Sequence, residues 1–569
     1  MKAKYVIPVL LALVTVLLGS NVLAAAAQDN TVTHITLNGD SIVVDGAGAT
    51  ANGSLVTITA AGTYEVSGTL NDGQLAVKTN DFEPVTLILN GVDIRNSTSA
   101  PINVMKAAAV EIILADGSQN YVSDAVTYVY ENPEDDEPNA AVFSDDDMTI
   151  SGYGSLTVDA HYNDGIASKD NLVIRDAIIT VNAVDDGIRG KDSLLISGAT
   201  LNLSAGGDGL KSDEDEDASL GYIHIASGTF TINAGGDAIQ AETNVTIDGG
   251  SFSLITAGGS SANFSADLSA KGIKGLVNVT INGGNFTINA ADDAVHSNDT
   301  IVINGGSFAI ATGDDGMHAD ANLTINDGDI VVSTSYEGLE SAIITINAGN
   351  ISLVSSDDGL NVAGGADSSG MGGQPGRGAR PNNFAALGNY FIYINGGSII
   401  INAAGDGIDA NGSIEMTGGT VIVNGPTENM NGALDYDGYF TLSGGLLVAA
   451  GSAGMAQAPD TSSTQSVLLL NLDTVQQAGT LVHIQAADGS NVLTFAPSKA
   501  YQSIVFASPA LVTGMSYTVY LGGSSDGLAV DGLYQGGNYT SGTEYTSFTV
   551  SSNVTQFGGM GGMRGPGRR

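Results

Sequence analysis

The chain has 569 residues, with 61 acidic side chains against 18 basic, a net charge of −43, and neither Cys nor Trp. Such an acidic surface argues against nucleic acid and anionic membranes as partners and favours divalent cations. Without Cys, disulfides are excluded, so stacking or bound ions must supply stability.

Residues 1–27 carry Lys2 and Lys4, an apolar run over 6–18 and then Ala24, Ala25, Ala26 and Ala27. This is the pattern of a secretory signal peptide, so the mature protein is expected to be secreted, extracellular or at the cell surface. No later stretch is apolar for the roughly 20 residues a membrane helix needs, so no membrane insertion is expected after cleavage. Residues 28–130 alternate apolar and polar over 56–58, 85–89 and 111–114 with loose turns, and are expected to form irregular N-terminal coils and a cap.

From 131 to 457 the chain is regular. A short acidic tag recurs about every 22 residues, as in Asn163-Asp164-Gly165-Ile166, Asp185-Asp186-Gly187-Ile188, Gly207-Asp208-Gly209-Leu210, Gly236-Asp237-Ala238-Ile239, Asp292-Asp293-Ala294-Val295 and Asp314-Asp315-Gly316-Met317. It continues at Tyr336-Glu337, Asp357-Asp358 and Gly405-Asp406. Between tags lie short alternating runs bounded by turns, among them Asp248-Gly249-Gly250, Asn282-Gly283-Gly284 and Asn304-Gly305-Gly306, where Gly supplies positive φ. Three short strands per repeat predict an all-β fold, a right-handed parallel β-helix with three strands per coil. Phe230, Phe252, Phe286 and Phe308, then Ile330, Ile351, Ile399 and Val421, share one repeat position and predict an internal stack. Two segments break the period, 258–271 and the Gly/Arg-rich 364–383, and are expected to be surface loops. Residues 458–552 lack the tag and predict a small C-terminal β domain or cap; 553–569 is expected to be a disordered Gly/Arg tail.

Adjacent coils stand roughly 4.8 Å apart. At that distance ionised carboxylates repel by roughly 3–4 kcal/mol at an effective dielectric near 20. A ladder of them needs hydration, protons, bases or metal. Ca²⁺ is the expected ion, because it takes carboxylate and carbonyl oxygens in flexible geometry. The expected metal ligands are Asp164, Asp185, Asp186, Asp208, Asp215, Asp217, Asp237, Asp293 and Asp315. The competing structural role is that the Asp side chains cap backbone amides at tight corners. With six His and no Cys, a zinc site has little to draw on.

Lys169, Arg189, Lys191 and Lys211 each follow a tag by a few residues and predict a basic strip beside the ladder. With Tyr162, they are the expected substrate-binding residues. Functional weight therefore falls on the rungs from Asp164 to Asp217, and those from Asp293 onward are expected to be mainly architectural.

The segments Tyr162-Asn163-Asp164-Gly165-Ile166-Ala167-Ser168-Lys169-Asp170, Asp185-Asp186-Gly187-Ile188-Arg189-Gly190-Lys191-Asp192 and Gly207-Asp208-Gly209-Leu210-Lys211-Ser212 resemble the bacterial carbohydrate-binding β-helix family, and the likeness runs from about residue 30 to about 550. The resemblance implies an exported right-handed parallel β-helix that binds calcium and recognises cellulose or acidic sugars, with a polysaccharide-lyase-like fold. Ala238 and Ala294, standing where the tag has Gly, and the loop at 364–383 depart from the pattern. The expected function is calcium-dependent binding of a polysaccharide, acidic (polygalacturonate-like) or cellulosic, by a monomer. The alternatives are a calcium-dependent polysaccharide lyase using a Lys or Arg base, and a surface adhesin or structural solenoid.

Overall fold

A computed structural model describes residues 32–130, 132–263, 265, 268–362 and 389–558. The expected signal peptide, the 364–383 loop and residues 559–569 lie outside them. Every regular element among the described residues is a strand; 47 strands belong to one mostly parallel sheet and 6 to a second, antiparallel one.

In the regular region each strand pairs in parallel with the equivalent strand of the next repeat. Ile178–Ala183 pairs with Ala199–Ala205, which pairs with Gly228–Ala234, without a change of register. The short strands behind the acidic tags do the same, Ile188–Gly190 with Leu210–Ser212 and then Ile239–Ala241. Alternate side chains point inward, so Ile, Leu and Val form one continuous core from Ile35 to Ala507. Within it the predicted stack is present: the rings of Phe230, Phe252, Phe286 and Phe308 lie parallel, with centroids 4.6, 4.6 and 4.7 Å apart. Ile330, Ile351, Ile399 and Val421 continue the column in register. At the turns before these positions Gly250, Gly284 and Gly306 have φ of 131°, 119° and 111°.

Glycine is favoured in most tags for a different reason. A Cβ on Gly187 or Gly209 would come within 2.6 Å of the carbonyl oxygen of Gly209 or Ala238 on the following rung. Ala238 and Ala294 occupy the same position, fully buried, and the strands after them keep register. Outside, Asn282, Asn304, Asn326, Asn347 and Asn395 form a side-chain amide ladder, linked by bonds of 2.8 to 2.9 Å.

At the N-terminal end, Thr33–Gly39 pairs antiparallel with Ile42–Asp45 and parallel with Gly62–Leu70, where the parallel array begins. At the other end Tyr501–Ala507 runs antiparallel between Leu446–Gly451 and Val467–Gln476, and a second apolar cluster with Phe495, Phe506 and Tyr517 packs there. Within the 553–569 segment expected to be a disordered tail, Val554–Phe557 is instead a strand that pairs in parallel with Val467–Gln476. The 258–271 loop also ends earlier than expected. Ala270 is 0% exposed and Lys271 6%, so both already belong to a rung.

Candidate functional site

The tag carboxylates stack along one edge and use one oxygen each for the backbone. Asp186 N–H donates to Asp164 Oδ1 at 3.2 Å, Asp208 N–H to Asp186 Oδ1 at 2.8 Å, and Asp237 N–H to Asp208 Oδ1 at 2.8 Å. The series continues with Lys271 N–H to Asp237 Oδ1 at 2.6 Å, Asp315 N–H to Asp293 Oδ1 and Glu337 N–H to Asp315 Oδ1 at 3.0 Å, and Asp406 N–H to Asp358 Oδ1 at 2.6 Å. Carboxylates accepting backbone N–H groups make charge-assisted bonds, and that is why the tag wants a short acidic side chain. Oδ1 holds the rungs together, which leaves Oδ2 to face whatever stands beside it.

Beside it stands a second column, three residues after the tag carboxylate on each rung. Strand register aligns Arg189, Lys211, Gln240, Lys274, His296, His318, Glu340, Asn361, Asp409 and Asp435 in that order. Its early members are cations. Lys211 Nζ bridges Asp186 and Asp208 at 3.0 and 2.9 Å, Arg189 lies 3.8 Å from Asp164 and 3.0 Å from Asp213, and Lys274 lies 3.4 Å from Asp237. Lys271 takes the carboxylate's own place on its rung, and its ammonium reaches Asp292 at 2.9 Å and Asp293 at 2.6 Å.

The carboxyl groups report this difference. Burial pushes Asp164 up to about 8, with Asp186 adding to it and Arg189 opposing, and pushes Asp186 up to about 6 against the pull of Lys211. Asp293 is as buried as any, yet Lys271 and His296 overcome the burial and hold it well below the ordinary carboxylate range. On the other rungs, early and late, burial dominates, and Asp237 too is raised in spite of Lys274. Asp358 is pushed up to about 8, Asp409 and Asp357 adding to the effect, and Glu337 is raised well above its usual value by burial and then by Asp315, Glu340 and Asp358.

Several expected site residues are placed differently from the single strip foreseen. Arg189 and Lys211 share the base column, but Lys169 and Lys191 sit two residues further on, at the strand's exit. Lys169 pairs with Glu137 at 2.7 Å and Asp145 at 3.5 Å, and Lys191 with Glu214 at 2.9 Å. Tyr162 lies face to face with Tyr128, centroids 4.2 Å apart, so one face of its ring is taken. The acidic loop does not converge on a cation: Asp213 bonds Arg189, Glu214 bonds Lys191, Asp215 is exposed, and Asp217 caps its own turn at Ser219 N and Oγ, 2.9 and 2.7 Å away. Asp164, Asp185 and Asp186 do come together, with an oxygen of each within 4.8 Å of the others, as do those of Asp358, Asp406 and Asp409. Asp208, Asp237 and Asp293 are instead neutralised by Lys211, Lys274 and Lys271.

A cavity of about 390 Å³ opens along the ladder, lined by Asp185, Asp186, Asp208, Asp237, Lys211, Lys274, Gln240 and the small residues Gly206, Gly207, Gly235 and Gly236. The glycines keep it open: a Cβ on Gly207 would lie 2.3 Å from Asp185 Oδ1. Gln240 Oε1 is buried there without a hydrogen-bond partner. Lys271, Lys274, Gln240, His296 and His318 were missed in the sequence, although Gln240, His296 and His318 share the offset of Arg189 and Lys211 from the tag.

A family model described as carbohydrate-binding domain-containing protein matches residues 52–316. A carbohydrate-binding domain-containing protein of Acetivibrio thermocellus is 50% identical over 194 residues, 34% of this chain and 68% of that protein. Among solved structures, the gadolinium derivative of a polysaccharide lyase-like protein from C. thermocellum is similar at 36% identity over 45% of this chain and 93% of that one, with a TM-score of 0.38.

Proposed function

We propose, from the premise that this chain belongs to the family of carbohydrate-binding domain-containing proteins, that it is a secreted, calcium-dependent binder of an acidic polysaccharide. The three-strand repeat would wind as a right-handed parallel β-helix presenting the ladder edge to the sugar chain. The observation that carries the binding site is the cavity over Asp186, Asp208 and Asp237, where Lys211 and Lys274 stand among carboxylates over a glycine floor. Ammonium groups there pair with uronate carboxylates, Gln240 Oε1 accepts from a sugar hydroxyl, and the carboxylates accept from others. Asp164, Asp185 and Asp186 offer an all-oxygen set beside the cavity, with burial leaving Asp164 short of countercharge, and this donor chemistry fits Ca²⁺. Bound there, the ion supplies positive charge that a uronate can share.

The binding reading is favoured over a lyase by the state of the base. A lysine that abstracts a proton must be neutral at working pH. Burial would lower Lys211, but Asp208 and Asp186 override it and hold the ammonium above its ordinary range. The test is titration calorimetry with polygalacturonate and with cellulose, each with calcium and with chelator. Polygalacturonate should bind in a calcium-dependent manner and Lys274→Met should weaken it. Equal, chelator-insensitive binding of both polymers would sink the proposal.

A further inference from the structure

In the base column, two imidazoles, His296 and His318, follow the lysines and precede the acids. His296 is satisfied, with Nδ1 2.8 Å from Asp293 Oδ2 and Nε2 2.9 Å from Asn298 Oδ1. His318 is not. It is 2% exposed, and neither ring nitrogen has a hydrogen-bond partner. Its Nδ1 faces Asp315 Oδ2 at 3.4 Å and Glu340 Oε2 at 3.6 Å, and one ligand atom from each of the three residues lies within 4.8 Å of the others. Asp315 is 0% exposed; its Oδ1 accepts the Glu337 N–H, and its Oδ2 has no hydrogen bond.

These separations are too long for hydrogen bonds, whose heavy atoms lie about 2.7–3.2 Å apart. They match the edge of a coordination tetrahedron instead: bonds of about 2.0–2.2 Å put neighbouring ligands roughly 3.4 Å apart. Nε2, at the far side of the ring, faces Asp320 Oδ1 at 3.4 Å, so a carboxylate stands behind the imidazole without bonding to it. We propose that Asp315, His318 and Glu340 hold a first-row divalent transition metal of the zinc class, one per chain, as a site separate from the oxygen-only calcium set at Asp164, Asp185 and Asp186. An imidazole ligand selects against calcium and for zinc, cobalt or nickel. His318 and Glu340 lie beyond residues 52–316 that the family model matches, so the site belongs to this chain's later rungs. Lys271 excludes the neighbouring set of Asp293, His296 and His318, because its ammonium already sits 2.6 Å from Asp293 Oδ2.

The competing state is an imidazolium held by the surrounding acids without metal. To separate the two, the full purified chain is stripped with chelator, refolded with one equivalent of Co²⁺ in excess Ca²⁺, and desalted. The wild type and a surface control, His224→Gln, should retain one Co²⁺ per chain with visible d–d bands, and His318→Gln and Glu340→Gln should lose it. X-ray absorption on wild type should show one imidazole and oxygen ligands, a result that stands even if the variants fail to fold. Retention of no cobalt by wild type, undiminished retention by His318→Gln, or two imidazoles per metal would overturn the site.

Discussion

The ladder edge has two halves built from one repeat. From Asp186 to Asp293 every tag carboxylate faces a lysine, Lys211, Lys274 or Lys271, within 3.4 Å or less. From Asp315 onward the same column carries His318, Glu340, Asn361 and Asp409. The backbone caps are alike in both halves, so one oxygen of each tag carboxylate is architectural throughout, and what its second oxygen meets is set by the column three residues later and, at Asp293, by Lys271. The early half sets ammonium groups against its carboxylates, whereas the later half sets an imidazole, a carboxylate and an amide there, which is the ground for the metal proposed at Asp315, His318 and Glu340.

The strongest way to break the comparison is to turn an early rung into a late one. Lys271→Met leaves Asp292 without its ammonium and Asp293 with the His296 imidazole alone, their side chains 6% and 0% exposed. Uncompensated buried charge costs about 3–5 kcal/mol, so urea denaturation should show a loss of that order. Lys271→Met with Asp293→Asn should recover part of it. A loss below about 1 kcal/mol for the single variant would mean that the lysine does not neutralise this rung.

Next in size is the pH response of the later half. Asp358 is pushed up to about 8 by burial and its acidic neighbours. An unfolded aspartate titrates near about 3.9. Between these values the native state holds a proton that the unfolded chain has released, so the stability it gives is present at low pH and lost as pH rises through about 8. In chelator, Asp358→Asn should flatten this slope and stabilise the protein at pH 8 by about 1–3 kcal/mol. Asp164, also pushed up to about 8, keeps part of the slope. A pH profile unchanged by the substitution would mean that Asp358 is not the group whose burial sets this slope.

What could be read from the sequence followed from periodicity. The Phe column and the turn glycines recur at fixed spacing, and strand register places them one above another. Lys271 was hidden because the 258–271 insertion shifts its rung out of period, and because a lysine stands where the pattern expects an acid. His296 and His318 were legible in principle, three residues after Asp293 and Asp315 as Arg189 is after Asp186. The proximity of His318 to Asp315 and Glu340 was not, since a repeated offset gives the column but not the side-chain distances within it.

The smallest effect tests where the functional base column ends. Lys191 was grouped with Arg189 and Lys211, but it lies two residues beyond that column, is 37% exposed at the side chain, and pairs with Glu214 at 2.9 Å on the loop. An exposed pair of this kind contributes about 0–1 kcal/mol, since solvent screens it and both chains lose freedom in making it. Lys191→Ala should therefore shift stability by no more than that and leave polygalacturonate affinity intact, while Lys274→Met at the cavity weakens it. Equal loss of binding in both variants would extend the sugar site to the strand exit and restore one continuous basic strip.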